Sequence, residues 1–211
     1  MASYRMTMTP DLGHQSTRLP VMETAERFGR ADTCRVRVLT PAVLATLVYC
    51  EAAIVYRLPE SVCNAVEELR TALPLDAPPS EQLTPHLTIL HLGHQSARDL
   101  GALAGHLSNI KTAALGFEGF GVFRTGTNHI NLHLRVAPRD DLDRVQRTML
   151  GLAHRLRQEN ISNFIGPQFC PHVTLWDGAP SRTFDAQNVP ALPVSQQRFD
   201  LNELIMIGRL G

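Results

Sequence analysis

The sequence predicts an α+β protein built from two pseudo-symmetric β-α-β lobes, whose antiparallel-rich sheets form a central cleft. Three observations lead there. Several segments alternate apolar and polar residues with period two, as strands with one buried face do. Two longer segments, residues 60–73 and about 139–158, carry apolar stripes at helical spacing. And the order strand, helix, strand recurs, each time ending in a strand that opens Pro-His-hydrophobic-Thr.

The recurring pieces are Pro85-His86-Leu87-Thr88-Ile89-Leu90 and Pro171-His172-Val173-Thr174-Leu175-Trp176. Residues two apart on a strand share a face. His86 and Thr88 therefore project together, as do His172 and Thr174, while Leu87, Ile89, Val173 and Leu175 turn to the core. A bare His-x-Thr is expected by chance on the order of once in a chain of this size; the preceding Pro and flanking hydrophobics cut that to roughly one per cent. His106-Leu107-Ser108 has a similar pattern, but it ends a helical stretch, where i and i+2 do not face each other. Brought face to face, the two strand copies supply two proton-transfer groups and two hydroxyl donors around one small anion.

The elements follow in order. Residues 1–50 form an N-terminal extension, polar and mixed at first, partly disordered or packed on the body. A short helix is expected around Val21–Arg27, a strand over Arg35–Leu39, and an apolar stretch Pro41–Cys50 fits either helix or strand. The bilobal body spans residues 51–211. Ala52–Leu58 reads as a strand, stopped by Pro59. Val62, Val66, Leu69 and Leu73 then share a helical face, and a Pro-rich loop leads to the His86 strand and a Gly93 turn. Ser96 is an N-cap with Asp99 at N3, opening a helix through Leu107. Residues 112–123 read as one or two strands with Gly116, Gly119 and Gly121 as bends or bulges. Asn128–Val136 is the clearest strand, Ile130, Leu132, Leu134 and Val136 alternating with His129, Asn131, His133 and Arg135. A helix from about Arg139 to Gln158 carries Leu142, Val145, Met149, Leu152 and Leu156, and Phe199–Leu210 is a final strand.

Composition narrows the function. At 211 residues, 44% hydrophobic and 19% charged, the chain has globular values. Its formal net charge of +0 gives no strong field for non-specific binding to nucleic acid or anionic membrane. No apolar run is long enough to span a bilayer, and the start lacks a signal pattern. The four cysteines, Cys34, Cys50, Cys63 and Cys170, show no metal spacing and fit reduced thiols in the cytoplasm. His91, His94 and His106 lack the spacing and the acidic or thiolate partners of a zinc site. No metal or cofactor is expected, and a cleft between two lobes of one chain needs no second copy, so a monomer is expected.

The paired motifs on repeated β-α-β units resemble the two-histidine (2H) phosphoesterase superfamily, and within it the LigT-like branch, the RNA 2',3'-cyclic phosphodiesterases also called 2'-5' RNA ligases. His86 to Gly93, Gly119-Phe120-Gly121-Val122-Phe123 with Ile130–Val136, and Phe169 to Leu175 all resemble segments of that branch. The resemblance covers about Ala52 to Leu210. Two departures stand out: the extension of about 50 residues, and Trp176-Asp177 where many LigT-like members carry a basic residue. The resemblance implies a metal-independent cyclic phosphodiesterase that opens 2',3'-cyclic phosphate ends of RNA or nucleotides to 2'-phosphomonoesters. His86 and His172 would be its acid and base, and Thr88 and Thr174 its oxyanion donors. Phe123, Arg124, Tyr56 and Arg57 are further candidate substrate contacts. Cyclic or 2',5'-linked oligonucleotides, ADP-ribose cyclic phosphate, and binding without turnover are the competing readings. The remaining histidines are expected at the surface or at strand edges, with His129 and His133 able to reach the cleft.

Overall fold

The computed structural model describes residues 25–29, 34–73, 75, 83–108, 110, 112, 114–125, 129–156, 158, 161, 164–179 and 198–210. Residues 1–24, with most of the short helix expected around Val21–Arg27, and most of the Pro-rich loop expected before the His86 strand lie outside the described residues.

The elements run β1 (Val36–Val38), α1 (Pro41–Leu44), β2 (Tyr49–Arg57), α2 (Glu60–Ala72), β3 (His86–Ser96), α3 (Ala97–Ala104), β4 (Gly116–Thr125), β5 (His129–Ala137), α4 (Asp140–Arg155), β6 (His172–Gly178) and β7 (Glu203–Arg209). Two sheets result, a four-stranded one ordered β1-β7-β2-β3 and a three-stranded one ordered β4-β5-β6. Every strand pairing among the described residues is antiparallel. The α+β architecture with two antiparallel sheets is thus the one the alternating segments predict. No helix among the described residues is long and apolar enough to cross a membrane.

The repeat is visible in the units β2-α2-β3 and β5-α4-β6. Helices α2 and α4 bury Val62, Val66 and Leu69, and Leu142, Val145, Met149 and Leu152, in one core that also takes Leu87, Ile89, Val173 and Leu175. Each buried aliphatic side chain contributes about 1.5–3 kcal/mol relative to its exposed state. Strand β3 meets β6, and each helix also reaches the histidine strand of the opposite lobe, α2 touching β6 and α4 touching β3.

Several local expectations shift. The apolar stretch after residue 40 splits: Thr40 caps the short helix α1 through its hydroxyl, and β2 begins at Tyr49. Ser96 does cap α3, accepting from the Asp99 amide, but α3 ends at Ala104 rather than Leu107, with Gly105 as its C-cap. Gly93 makes no turn. It lies inside β3 at φ 63, where the ladder to β2 slips by one residue; glycine tolerates that left-handed backbone. Arg27 is not helical. It bridges to Arg37, and Gly29 bridges to Leu83, because Phe28 finds apolar surface on the first sheet with Cys34, Val36, Val38, Ala53, Val55 and Ile207.

Candidate active site

The two histidine strands share a further irregularity. The β2–β3 ladder slips between Ile54 and Val55, leaving Ile89 as the extra residue, and the β5–β6 ladder slips between Leu132 and His133, leaving Leu175. Both bulges fall three residues after the motif histidine. A bulge inverts the alternation beyond it. His91 therefore joins His86 and Thr88 on one face, opposite Ala53, Arg57 and Val55, while Asp177 joins His172 and Thr174, opposite Asn131, Arg135 and His133. Period-two counting misses both residues. The repeated position of the bulge is the feature that finds them.

Bulges also take carbonyls out of the regular ladder, and buried carbonyls need donors. The opposite lobe supplies them. Arg70 of α2 donates from Nη2 to the Thr174 carbonyl at 2.6 Å, and Gln146 of α4 donates from Nε2 to the Ile89 carbonyl at 3.3 Å. Each helix thus pins the motif strand of the other lobe.

Both motif imidazoles are held the same way. His86 Nδ1–H donates to the Thr84 carbonyl at 2.7 Å, and His172 Nδ1–H to the Cys170 carbonyl at 2.7 Å. A carbonyl only accepts, so Nδ1 carries the proton in both rings. In each neutral ring Nε2, on the side away from the backbone, is the basic atom. Burial pushes the His86 pKa down to about 4, opposed by the Thr84 bond and reinforced by Arg70 and His172. Burial also lowers His172, opposed by the Cys170 bond and the Asp177 carboxylate. Without an anion both rings are neutral at pH 7; an anion between them favours protonation.

The two sheets differ in what surrounds these pairs. On the first sheet Val55 and Ala53 stand opposite Thr88 and His91. That face is apolar and covered by Phe28, whose ring meets the His86 imidazole edge-on at 5.3 Å between centroids. Arg57, opposite His86, is tied to Glu26 at 2.7 Å and Glu203 at 3.1 Å. On the second sheet His133 and Asn131 occupy the matching places opposite Thr174 and Asp177. His133 lies 4.8 Å from His172 and 4.1 Å from Phe123, ring centroid to ring centroid, and Phe123 meets His172 edge-on at 5.1 Å. Burial holds the His133 pKa down at about 4, and the neighbouring His172 lowers it further. His129 Nε2 pairs with Asp177 at 2.7 Å.

Of the eight candidate residues, His86, Thr88 and Arg57 share one face of the first sheet, and His172, Thr174 and Phe123 share one face of the second. Tyr56 lies on neither face. It pairs with Leu87 across the ladder and is 0% exposed in the main core, because strand parity sends it away from its neighbour Arg57. Arg124 likewise pairs with Ile130, on the face opposite Phe123. His133, expected at the surface or a strand edge, is 1% exposed. Gly121 opposite it has no side chain, and a Cβ there would sit 2.3 Å from His133 Nε2.

Two antiparallel sheets, each presenting a His-x-Thr pair on strands that meet, define a 2H phosphoesterase fold. The chain belongs to the 2'-5' RNA ligase superfamily, whose family model matches residues 58–211. Among solved structures it is similar to Escherichia coli LigT complexed with phosphate, with a TM-score of 0.55 at 20% identity, covering 77% of this chain and 88% of that one. Similar in the same way are E. coli LigT complexed with 3'-AMP, with a TM-score of 0.53 at 19% identity over 77% and 88% of the two chains, and TT0787 of Thermus thermophilus, with a TM-score of 0.54 at 20% identity over 74% and 86%. These likenesses show the fold. A comparison with curated proteins finds no match.

Proposed function

We propose that the protein hydrolyses 2',3'-cyclic phosphate ends of RNA or nucleotides to 2'-phosphomonoesters, with His86 and His172 as the acid–base pair and Thr88 and Thr174 as donors to the non-bridging oxygens. The observation that carries this reading is the matched tethering of the two imidazoles. Each Nδ1–H is bound to the carbonyl two residues upstream, which leaves each Nε2 as the atom that can accept or deliver a proton.

A 2',3'-cyclic phosphate is a strained five-membered diester. Opening it requires a water to lose its proton as it attacks phosphorus and the 3' oxygen to gain one as it leaves on the opposite side. One neutral and one protonated imidazole perform both transfers. The substrate's own negative charge raises the affinity of the pair for the single proton this needs. Hydroxyl donors on the non-bridging oxygens stabilise the charge that develops there. Phe123, 37% exposed over His133, offers an aromatic face on which a base can stack. The chain's membership of the 2'-5' RNA ligase superfamily and its likeness to E. coli LigT, crystallised with phosphate and with 3'-AMP, support a nucleotide phosphoester as substrate.

The test is a substrate panel at matched concentration: a nucleoside 2',3'-cyclic phosphate, the 3',5'-cyclic isomer and a 2',5'-linked dinucleotide, with products separated by chromatography. The expected result is turnover of the 2',3'-cyclic compound to the 2'-phosphate, with a bell-shaped pH–rate profile. Preference for either other substrate, or release of the 3'-phosphate, would overturn the reading.

A further inference from the structure

The two lobes place different chemistry behind their threonines. Opposite Thr88 and His91 the first sheet has Val55 and Ala53, and opposite Thr174 and Asp177 the second has His133 and Asn131. The fold itself therefore does not demand a polar pair at these positions. In the second lobe the pair is linked. His133 Nδ1–H donates to Asn131 Oδ1 at 3.2 Å and to the Asn131 carbonyl at 3.3 Å, and Asn131 Nδ2 donates to Thr174 Oγ1 at 3.3 Å. Space for the His133 ring exists only because residue 121 is glycine.

The direction of these bonds has a chemical consequence. A side-chain amide has one acceptor and one donor end. The His133 N–H fixes the acceptor end of Asn131, so the amide nitrogen turns to Thr174. A hydroxyl that accepts from that nitrogen keeps its single proton for another acceptor.

We propose that Asn131, oriented by His133, is a positioning residue that sets the Thr174 hydroxyl as a hydrogen-bond donor into the cleft. The two lobes are then unequal. Thr174 is a preorganised oxyanion donor, whereas Thr88, facing Val55, has to be turned by the substrate. This deepens the proposed phosphodiesterase reading and rests on it.

The test is a double-mutant cycle on Asn131→Ala and Thr174→Ala, with Asn131→Asp as an isosteric control, using a nucleoside 2',3'-cyclic phosphate as substrate and folding checked by circular dichroism. Thr174→Ala should lower kcat about a hundredfold, as loss of one oxyanion donor does. Asn131→Ala should lower kcat about tenfold with KM little changed, the size of one lost neutral hydrogen bond. In the Thr174→Ala background the Asn131→Ala change should cost nothing further. Asn131→Asp still accepts from His133 but turns an acceptor on Thr174, drawing its proton away from the cleft; its kcat should fall below that of Asn131→Ala. A merely structural role predicts the reverse order, because the isostere packs better. Multiplying losses in the double variant, or Asn131→Asp above Asn131→Ala, would overturn the proposal while leaving the phosphodiesterase intact. A folded wild type with neither turnover of this substrate nor calorimetric binding of inorganic phosphate would overturn both.

Discussion

Acidification should destabilise this protein well before its carboxylates are exhausted, and His133 should account for a separable share. In the unfolded chain His86 and His133 titrate near 6.5, and in the folded protein both are pushed down to about 4. Between these values the unfolded chain binds more protons, so stability is complete above about pH 6.5 and is lost as pH falls toward about 4. Each such histidine contributes a slope of roughly 1.4 kcal/mol per pH unit, and so roughly 3 kcal/mol over the whole window. Lowered pKa values at His172 and His91 act in the same direction. Replacing His133 by Gln removes one titrating group while keeping a neutral polar side chain in the pocket. Urea unfolding of both proteins at pH 7, 6, 5 and 4.5 isolates the difference. From pH 6 to 4.5 the wild type should lose about 2 kcal/mol more than His133→Gln. Parallel curves would refute the assignment of His133 as a neutral, buried imidazole, and a steeper His133→Gln curve would reverse its sign.

Gly121→Ala should displace the His133 ring, since its Cβ would lie 2.3 Å from Nε2; a stability loss of about 1–3 kcal/mol is expected by chemical denaturation. That penalty should vanish in a His133→Ala background, and its persistence there would show that the glycine serves something else. Arg70→Met should cost about 3–5 kcal/mol in the same assay, because it strips donors from the Thr174 and Leu83 carbonyls and removes the buried ion pair with Glu67 at 2.8 Å. A loss under about 1 kcal/mol would show that the cross-lobe bond to the second motif strand carries little.

Much of this arrangement is legible in the sequence because alternation and helical spacing are local signals. Ile130, Leu132, Leu134 and Val136 mark β5 without reference to anything distant, and the same holds for the cores of the two motif strands. The repeat of strand, helix and histidine strand also survives in the sequence, so the pairing of His86 with His172 can be anticipated. What escapes depends on contacts between segments far apart in the chain. Ile89 and Leu175 look like ordinary strand residues, and only the neighbouring strand's register reveals them as bulges that return His91 and Asp177 to the face of the motif histidines. Tyr56 and Arg57 are adjacent and polar, yet parity sends one to the core and the other to the face that carries His86. His133 reads as a strand's exposed position, and its burial requires both Gly121 across the ladder and the Phe123 ring above it. The role of Phe28 at His86 is invisible in a segment whose composition has no periodicity, because the surface that receives it comes from β1, β2 and β7.

The paired-histidine mechanism stands or falls on hydrolysis of a nucleoside 2',3'-cyclic phosphate in EDTA by the wild type, His86→Ala and His172→Ala, each confirmed folded. It predicts conversion to the 2'-phosphate by the wild type and a loss of at least about a hundredfold in kcat in each variant, since each removes one of two proton-transfer groups. A wild type that turns over while either variant stays within about threefold of it would contradict the mechanism, because a step that tolerates the loss does not use that imidazole as acid or base.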